Sequence, residues 1–205
     1  MTSELYGLNI AVLIAGGFEH VEYLLPRRHL ESTGAKVTVV SSSRRPVRSW
    51  DVNDWGEAVA VDVPLATADS NDYHALVLPG GLMNADALRT EQAALAFIRA
   101  FFDNDKPVAT IRHGAWPLID ADVVRGRRLT SWPSLRRDLE NAGAYWMDES
   151  VVVDAGLVST RWPSDLADFN RVMIRTLARA PLTGNAISTG LSRADPVCLT
   201  HRSPQ

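Results

Sequence analysis

Cysteine is almost absent: the 205 residues contain one, Cys198, so no intrachain disulfide can form and a thiolate metal centre has too few ligands. That scarcity fits a reducing compartment, and a cytoplasmic location is expected. Cys198 lies in a polar C-terminal stretch, where a spectator thiol is the expectation rather than a catalytic one. Long apolar runs are lacking too, since none reaches the roughly 18 to 20 residues that cross a bilayer. The opening MTSELYGLNIAVLIAGG puts Glu4 ahead of a short apolar run with no basic leader, which reads as a core strand rather than a secretory signal. Neither sign of charge dominates. With 21 Lys and Arg against 24 Asp and Glu the formal net charge is -3, so there is no electrostatic reason to expect nucleic acid or an anionic membrane as a partner. The pairs Arg44-Arg45 and Arg136-Arg137 are read as solvated faces. His20, His29, His74 and His201 show no spacing that converges on a metal, so neither metal nor cofactor is expected.

What is present is alternation. Apolar runs of strand length alternate with helical patterns, the signature of βαβ units and hence of an α/β domain with a largely parallel sheet covered on both faces. Strands are expected at 8–14, 36–41, 59–63, 74–78 and 107–111, with a hairpin from 151–153 and 157–160. Helices are expected at about 19–32, carrying Val21, Leu24, Leu25 and Leu30 inward, and at 91–102, 135–142 and 165–177. A short helical stretch follows the turn at Arg112-His113-Gly114 and runs through Trp116 and Leu118. The segment SSSRRPVRSW has no clear period and is read as a surface loop. One domain over 1–180 is expected, followed by a tail or arm at 181–205 rich in Ser, Thr, Gly and Pro.

In open parallel sheets, ligands bind outside the carboxyl ends of the strands near the switch in strand order. Three loops meet that description: Ala15-Gly16-Gly17-Phe18-Glu19, Leu78-Pro79-Gly80-Gly81 and Ile111-Arg112-His113-Gly114. Taken singly, each is explained as a tight turn. Together, with GGFEHVE at 16–22, LVLPGG at 76–81, NADALRT at 84–90, KPVATIRHG at 106–114, GRRLTSWPSLRRDLENAGA at 126–144 and VVVDAGLVSTRWPSDL at 151–166, they resemble the DJ-1/PfpI family, particularly its intracellular-protease-like branch. The resemblance implies a flavodoxin-like three-layer sandwich, a homo-oligomer, and a nucleophile elbow that holds a cysteine in a strained backbone conformation. It assigns Glu19 as the acid that hydrogen-bonds the thiol, His113 as the adjacent histidine, Gly80 and Gly81 as the amides facing an oxyanion, and Asp86 as an acid presented across a subunit interface.

The position implied for the cysteine is occupied by Arg112. A guanidinium stays protonated and cannot act as a thiolate, so cysteine-dependent hydrolysis is expected to be absent, leaving Glu19 and His113 as remnants of a degenerate site. An engineered replacement would more usually be Ala or Ser. Burying Glu19 unpaired would be costly, so an Arg112–Glu19 salt bridge filling the pocket is the expectation. The alternative is that Arg112 and the turn amides bind a small anionic ligand. Trp116, one turn after the elbow, is expected to narrow the crevice, while the other tryptophans are read as core or interface residues. The expected function is a non-catalytic or repurposed family member, in stress response or protein handling. The rival is a cysteine-independent enzyme of the family's protease, deglycase or glyoxalase type. A regulatory module has no support, because no helix-turn-helix segment accompanies the domain.

Overall fold

A computed structural model describes residues 4–180; the expected tail and Cys198 lie outside the described residues. In chain order the elements are β1 (Asn9–Leu13), β2 (Phe18–Glu19), α1 (His20–Ser32), β3 (Lys36–Ser41), β4 (Val47–Asp51), β5 (Asp54–Val59), β6 (Val63–Pro64), β7 (Ala75–Leu78), α2 (Leu82–Thr90), α3 (Gln92–Asp103), β8 (Val108–Ile111), α4 (Trp116–Asp120), β9 (Arg128–Leu129), α5 (Arg136–Asn141), β10 (Tyr145–Trp146), β11 (Val151–Asp154), β12 (Leu157–Thr160) and α6 (Leu166–Arg179). The main sheet has seven strands in the order β11-β12-β8-β7-β1-β3-β6. Its pairings are parallel except β11 with β12.

Strand alternation divides the core into two layers. Ala11 and Leu13 of β1, with Leu76 and Leu78 of β7, meet Leu88, Leu95, Ile98, Phe101 and Leu118 on one face. Ile10, Val12, Ala75, Val77, Ala109 and Ile111 point to the other, against Tyr23, Leu30, Phe169 and Met173 of α1 and α6. β1, β7 and β8 are buried along almost their whole length because helices cover both sides, which is why they read as unbroken apolar runs. At the amino end of β8, buried Lys106 donates from Nζ to the carbonyls of Ser70 and Tyr73, closing the floor of the sheet opposite the strand carboxyl ends.

Three sequence expectations are corrected. The loop read from SSSRRPVRSW contains β4, which forms an antiparallel hairpin with β5 and pairs with β2 in a separate three-stranded sheet. β5 is largely exposed, and the positions that β4 buries are Val47 and the polar Ser49, so the segment carries no apolar period to read. The expected strand 59–63 is instead the end of β5 followed by β6, and α2 is a helix over a segment, 82–90, for which no helix was expected. The phase of α1 also differs: Val21 is exposed, and Glu22, Tyr23, Pro26 and Leu30 form the buried face. A buried acid in a helix is invisible to an apolar count.

Phe169 is fully buried among the α1 and α6 contacts. Phe169→Ala should lower the free energy of unfolding by about 3–5 kcal/mol, whereas Arg171→Ala, which removes only an exposed ion pair to Asp168, should change it by less than about 0.5 kcal/mol. Denaturant midpoints of the two variants check this directly.

Candidate functional site

The switch in strand order falls between β1 and its two parallel neighbours β3 and β7, so the loops leaving β1, β7 and β8 converge at one end of the sheet. Close backbone packing holds them together. Gly81, at φ 106°, begins α2 so near the first loop that a Cβ there would lie 2.4 Å from the Gly17 carbonyl oxygen and 2.9 Å from the Glu19 nitrogen. The Glu19 amide donates to the Gly80 carbonyl at 3.1 Å. Fully buried Asn84 ties the same loops: its Oδ1 accepts from the Ala15 amide at 2.7 Å and its Nδ2 donates to the Pro79 carbonyl at 2.9 Å.

β8 runs straight into the turn that carries Arg112, whose φ of 53° lies in the left-handed region that side chains other than glycine's rarely occupy. The elbow geometry implied by the resemblance is therefore present, with an arginine at its apex. Gly114 allows it, since a Cβ there would sit 2.3 Å from the Leu78 carbonyl oxygen. Such strain, worth about 1–3 kcal/mol, persists only where the surroundings hold it. Here they do so through an ion pair: Arg112 Nη1 lies 2.5 Å from Glu22 Oε1. Glu22 has no exposed surface, and its Oε2 accepts from the Gly80 amide at 2.9 Å. The guanidinium carbon also sits 4.3 Å from the centroid of the Trp132 ring. Trp132 in turn meets Trp162 edge-on at 4.6 Å and His113 at 5.5 Å.

The expected salt bridge is thus made, but with Glu22 and not Glu19. Glu19 lies in β2, immediately before α1, and its half-buried carboxyl forms no ion pair with Arg112. Glu22, in the first turn of α1, is the residue aimed under the strand ends. The signal was in the sequence: a helix beginning at His20 projects its third residue, an acid, onto the core side. Gly80 is corrected as well, because its amide is spent on Glu22 and does not stand open toward an oxyanion. Gly81 keeps its place at the start of α2. Trp116, the residue directly after the elbow turn, is half-buried against the core beneath Arg89, whose guanidinium lies 4.2 Å from its ring and pairs with Asp120. The indole over the elbow is Trp132, and the recurrence of Trp-Pro-Ser at 132–134 and 162–164 was the cue that could have singled it out. Asp86 is exposed on α2 with no side-chain partner among the described residues. Thr110 offers no substitute nucleophile, being fully buried beneath the turn.

Electrostatics follow from this burial. Desolvation pushes the Glu22 carboxyl up to about 7, even though the Arg112 cation, the hydrogen bond from it and the Gly80 amide all pull the other way. Glu19 is also raised, first by burial, with Arg112 lowering it and Asp51 raising it. His113 is lowered to about 4 by burial and then by the Arg112 cation, so its ring is neutral at physiological pH. Among the described residues no group of three or more His, Cys, Asp or Glu could hold a metal ion, and no helix is long and apolar enough to cross a membrane.

Comparison with known proteins now decides the family. The family model described as DJ-1/PfpI matches residues 8–176. The chain belongs to the DJ-1/PfpI family. It is 43% identical over 170 residues to an uncharacterized protein of Staphylococcus aureus strain Mu50, spanning 82% of this chain and 97% of that one. Drosophila melanogaster DJ-1beta superposes with a TM-score of 0.76 at 27% identity, covering 87% of this chain and 91% of that one. A two-domain protein of Anabaena variabilis containing DJ-1/ThiJ/PfpI-like and ferritin-like domains superposes with a TM-score of 0.78 at 30% identity. That match covers 82% of this chain and 49% of the Anabaena chain, so the likeness extends over about half of the larger protein. The mixed α/β architecture with a mostly parallel sheet is that of these DJ-1/ThiJ/PfpI structures.

The opposite shifts of Glu22 and His113 give a pH signature. Glu22, raised from 4.5 to about 7 on folding, holds its proton more tightly in the native state, so its contribution falls as pH rises through that window. His113, lowered from 6.5 to about 4, binds protons more tightly when unfolded, so its contribution rises with pH between those values. Glu22→Gln should therefore leave stability climbing more steeply from pH 4.5 to 6.5 than in the natural protein. His113→Gln should leave it falling more steeply. Denaturant midpoints at half-unit pH steps measure both slopes.

Proposed function

We propose that this protein is a DJ-1/PfpI family member without cysteine-dependent hydrolase chemistry, its elbow serving to hold an ion pair where the family resemblance places a nucleophile. The observation that carries the reading is Arg112 at φ 53° with Nη1 2.5 Å from buried Glu22. A guanidinium offers no lone pair for attack, and Thr110, the nearest hydroxyl on the same strand, is fully buried. Neutral His113 could accept a proton, yet it makes no hydrogen bond to any group that could become a nucleophile among the described residues. Gly80 gives its amide to Glu22, which removes one oxyanion donor from use. These features support a repurposed, non-hydrolytic protein; the family resemblance extends the proposal to a homo-oligomer in stress response or protein handling, and the scarcity of cysteine to a cytoplasmic location. Asp86, exposed on α2, is the acid such an assembly would present to a neighbouring subunit.

Arg112→Cys tests the reading. The turn and buried Glu22 are expected to remain in that variant, so the thiol would face an acid that, without the cation that lowers it, holds its proton more tightly still. The natural protein should show no turnover of methylglyoxal or peptide substrates, while Arg112→Cys should gain measurable activity. Comparable turnover by the natural protein would refute the proposal. A folded Arg112→Cys protein as inert as its parent would refute the claim that the arginine alone removes the chemistry.

A further inference from the structure

The Arg112–Glu22 pair is asymmetric in its access to solvent. Glu22 is wholly enclosed, whereas 14% of the Arg112 side chain is exposed, so an approaching solute meets the cation and never the acid. The guanidinium also has donors to spare. Of its five N–H groups, only one on Nη1 has an acceptor among the described residues; Nε is enclosed without a partner and Nη2 has none. A planar fork with unspent donors, its guanidinium carbon over the Trp132 ring, is the arrangement that receives a carboxylate.

What keeps such an anion out is the charge already inside. The ionisable groups acting at this point come from each element around it: Glu22 on α1, Glu19 on β2, Asp51 at the end of β4 acting on Glu19, and Arg112 and His113 on the elbow. With Glu22 and Glu19 both ionised, the single fixed cation is more than neutralised. We propose that Arg112 is a proton-linked binding site for a small monocarboxylate, which occupies the guanidinium when Glu22 takes up a proton. This rests on the reading of Arg112 as an ion-pair partner and not a catalytic group. No bond is made or broken: one proton moves from solvent to Glu22, which keeps its hydrogen bond from Gly80, and the guanidinium turns its charge to the incoming carboxylate. The direction of the Glu22 shift supports the exchange, because burial already brings its ionisation near neutrality. His113 stays neutral down to about pH 4, so it adds no competing positive charge over the relevant range.

Formate is the probe, since it is the smallest monocarboxylate and stays ionised throughout. Carbon-13 formate is titrated by NMR into the full chain at pH 5.5, 7.0 and 8.5, with sulfate at matched ionic strength as control, and proton uptake is followed in a pH-stat. For a group titrating at about 7, the protonated fraction falls about thirtyfold from pH 5.5 to 8.5, and the apparent affinity should fall by the same factor. Close to one proton should be taken up per formate bound at pH 8.5. Glu22→Gln should bind formate equally at all three values, and Arg112→Met should not bind it. The proposal is overturned by absent binding at pH 5.5, pH-independent binding in the natural protein, binding retained by Arg112→Met, or a sulfate response equal to that of formate. Should Glu22→Gln fail to fold, proton uptake by the natural protein decides alone. Turnover of methylglyoxal by the natural protein would remove the non-hydrolytic reading without altering these titrations, so the two failures are distinguishable.

Discussion

A carboxylate with no exposed surface must be satisfied or it will not be buried, and Glu22 is the residue around which this end of the molecule is arranged. Its two oxygens divide their partners between Arg112 and the Gly80 amide. Removing either would leave part of a desolvated acid unanswered, at a cost of about 1–3 kcal/mol for a hydrogen bond to a buried group. Two strands and a helix therefore depend on one side chain: β7 through Gly80, β8 through Arg112, and α1, which carries Glu22 itself. The closeness of the Gly81 turn to Gly17 and the bridging amide of Asn84 make the same demand through backbone contact. The loops are positioned before any ligand is considered.

In the function proposed above, the elbow keeps a strained turn while presenting a cation at its apex. Arg112 retains a left-handed backbone, which is unfavourable for arginine on local grounds. Pairing with Glu22 and the cation–π contact with Trp132 stabilise that conformation from outside the turn. The acid's raised ionisation and the histidine's lowered one arise from the same enclosure, acting on groups of opposite charge type. A neutral histidine, an acid poised near neutrality and a permanent cation form a titrating cluster that needs no nucleophile to be responsive.

Much of the architecture was legible because strands buried on both faces write themselves as apolar runs. β1, β3, β7 and β8 were located in this way, the β11–β12 hairpin by its two short runs across a turn, and the three strand-end loops followed. The site was legible to the level of the loop but not to the residue. Glu19 and Glu22 are both acids of GGFEHVE, and choosing between them requires the phase of α1, which apolar counting set one residue off by trusting Val21. Trp132 stands twenty residues from Arg112 in the chain and reaches it only through tertiary packing. The β4–β5 hairpin escaped notice because β5 is largely exposed and β4 buries a serine beside its one buried valine, so pairing orders these strands without an apolar alternation.

The central claim is that Arg112 turns inward onto an enclosed Glu22. A carbon-13 NMR titration of the Glu22 carboxyl, compared between the natural protein and Arg112→Met, tests it most directly. The account predicts ionisation at about 7 in the natural protein and a higher value once the cation is removed. Ionisation of Glu22 in the ordinary carboxylate range, unchanged by Arg112→Met, would contradict it.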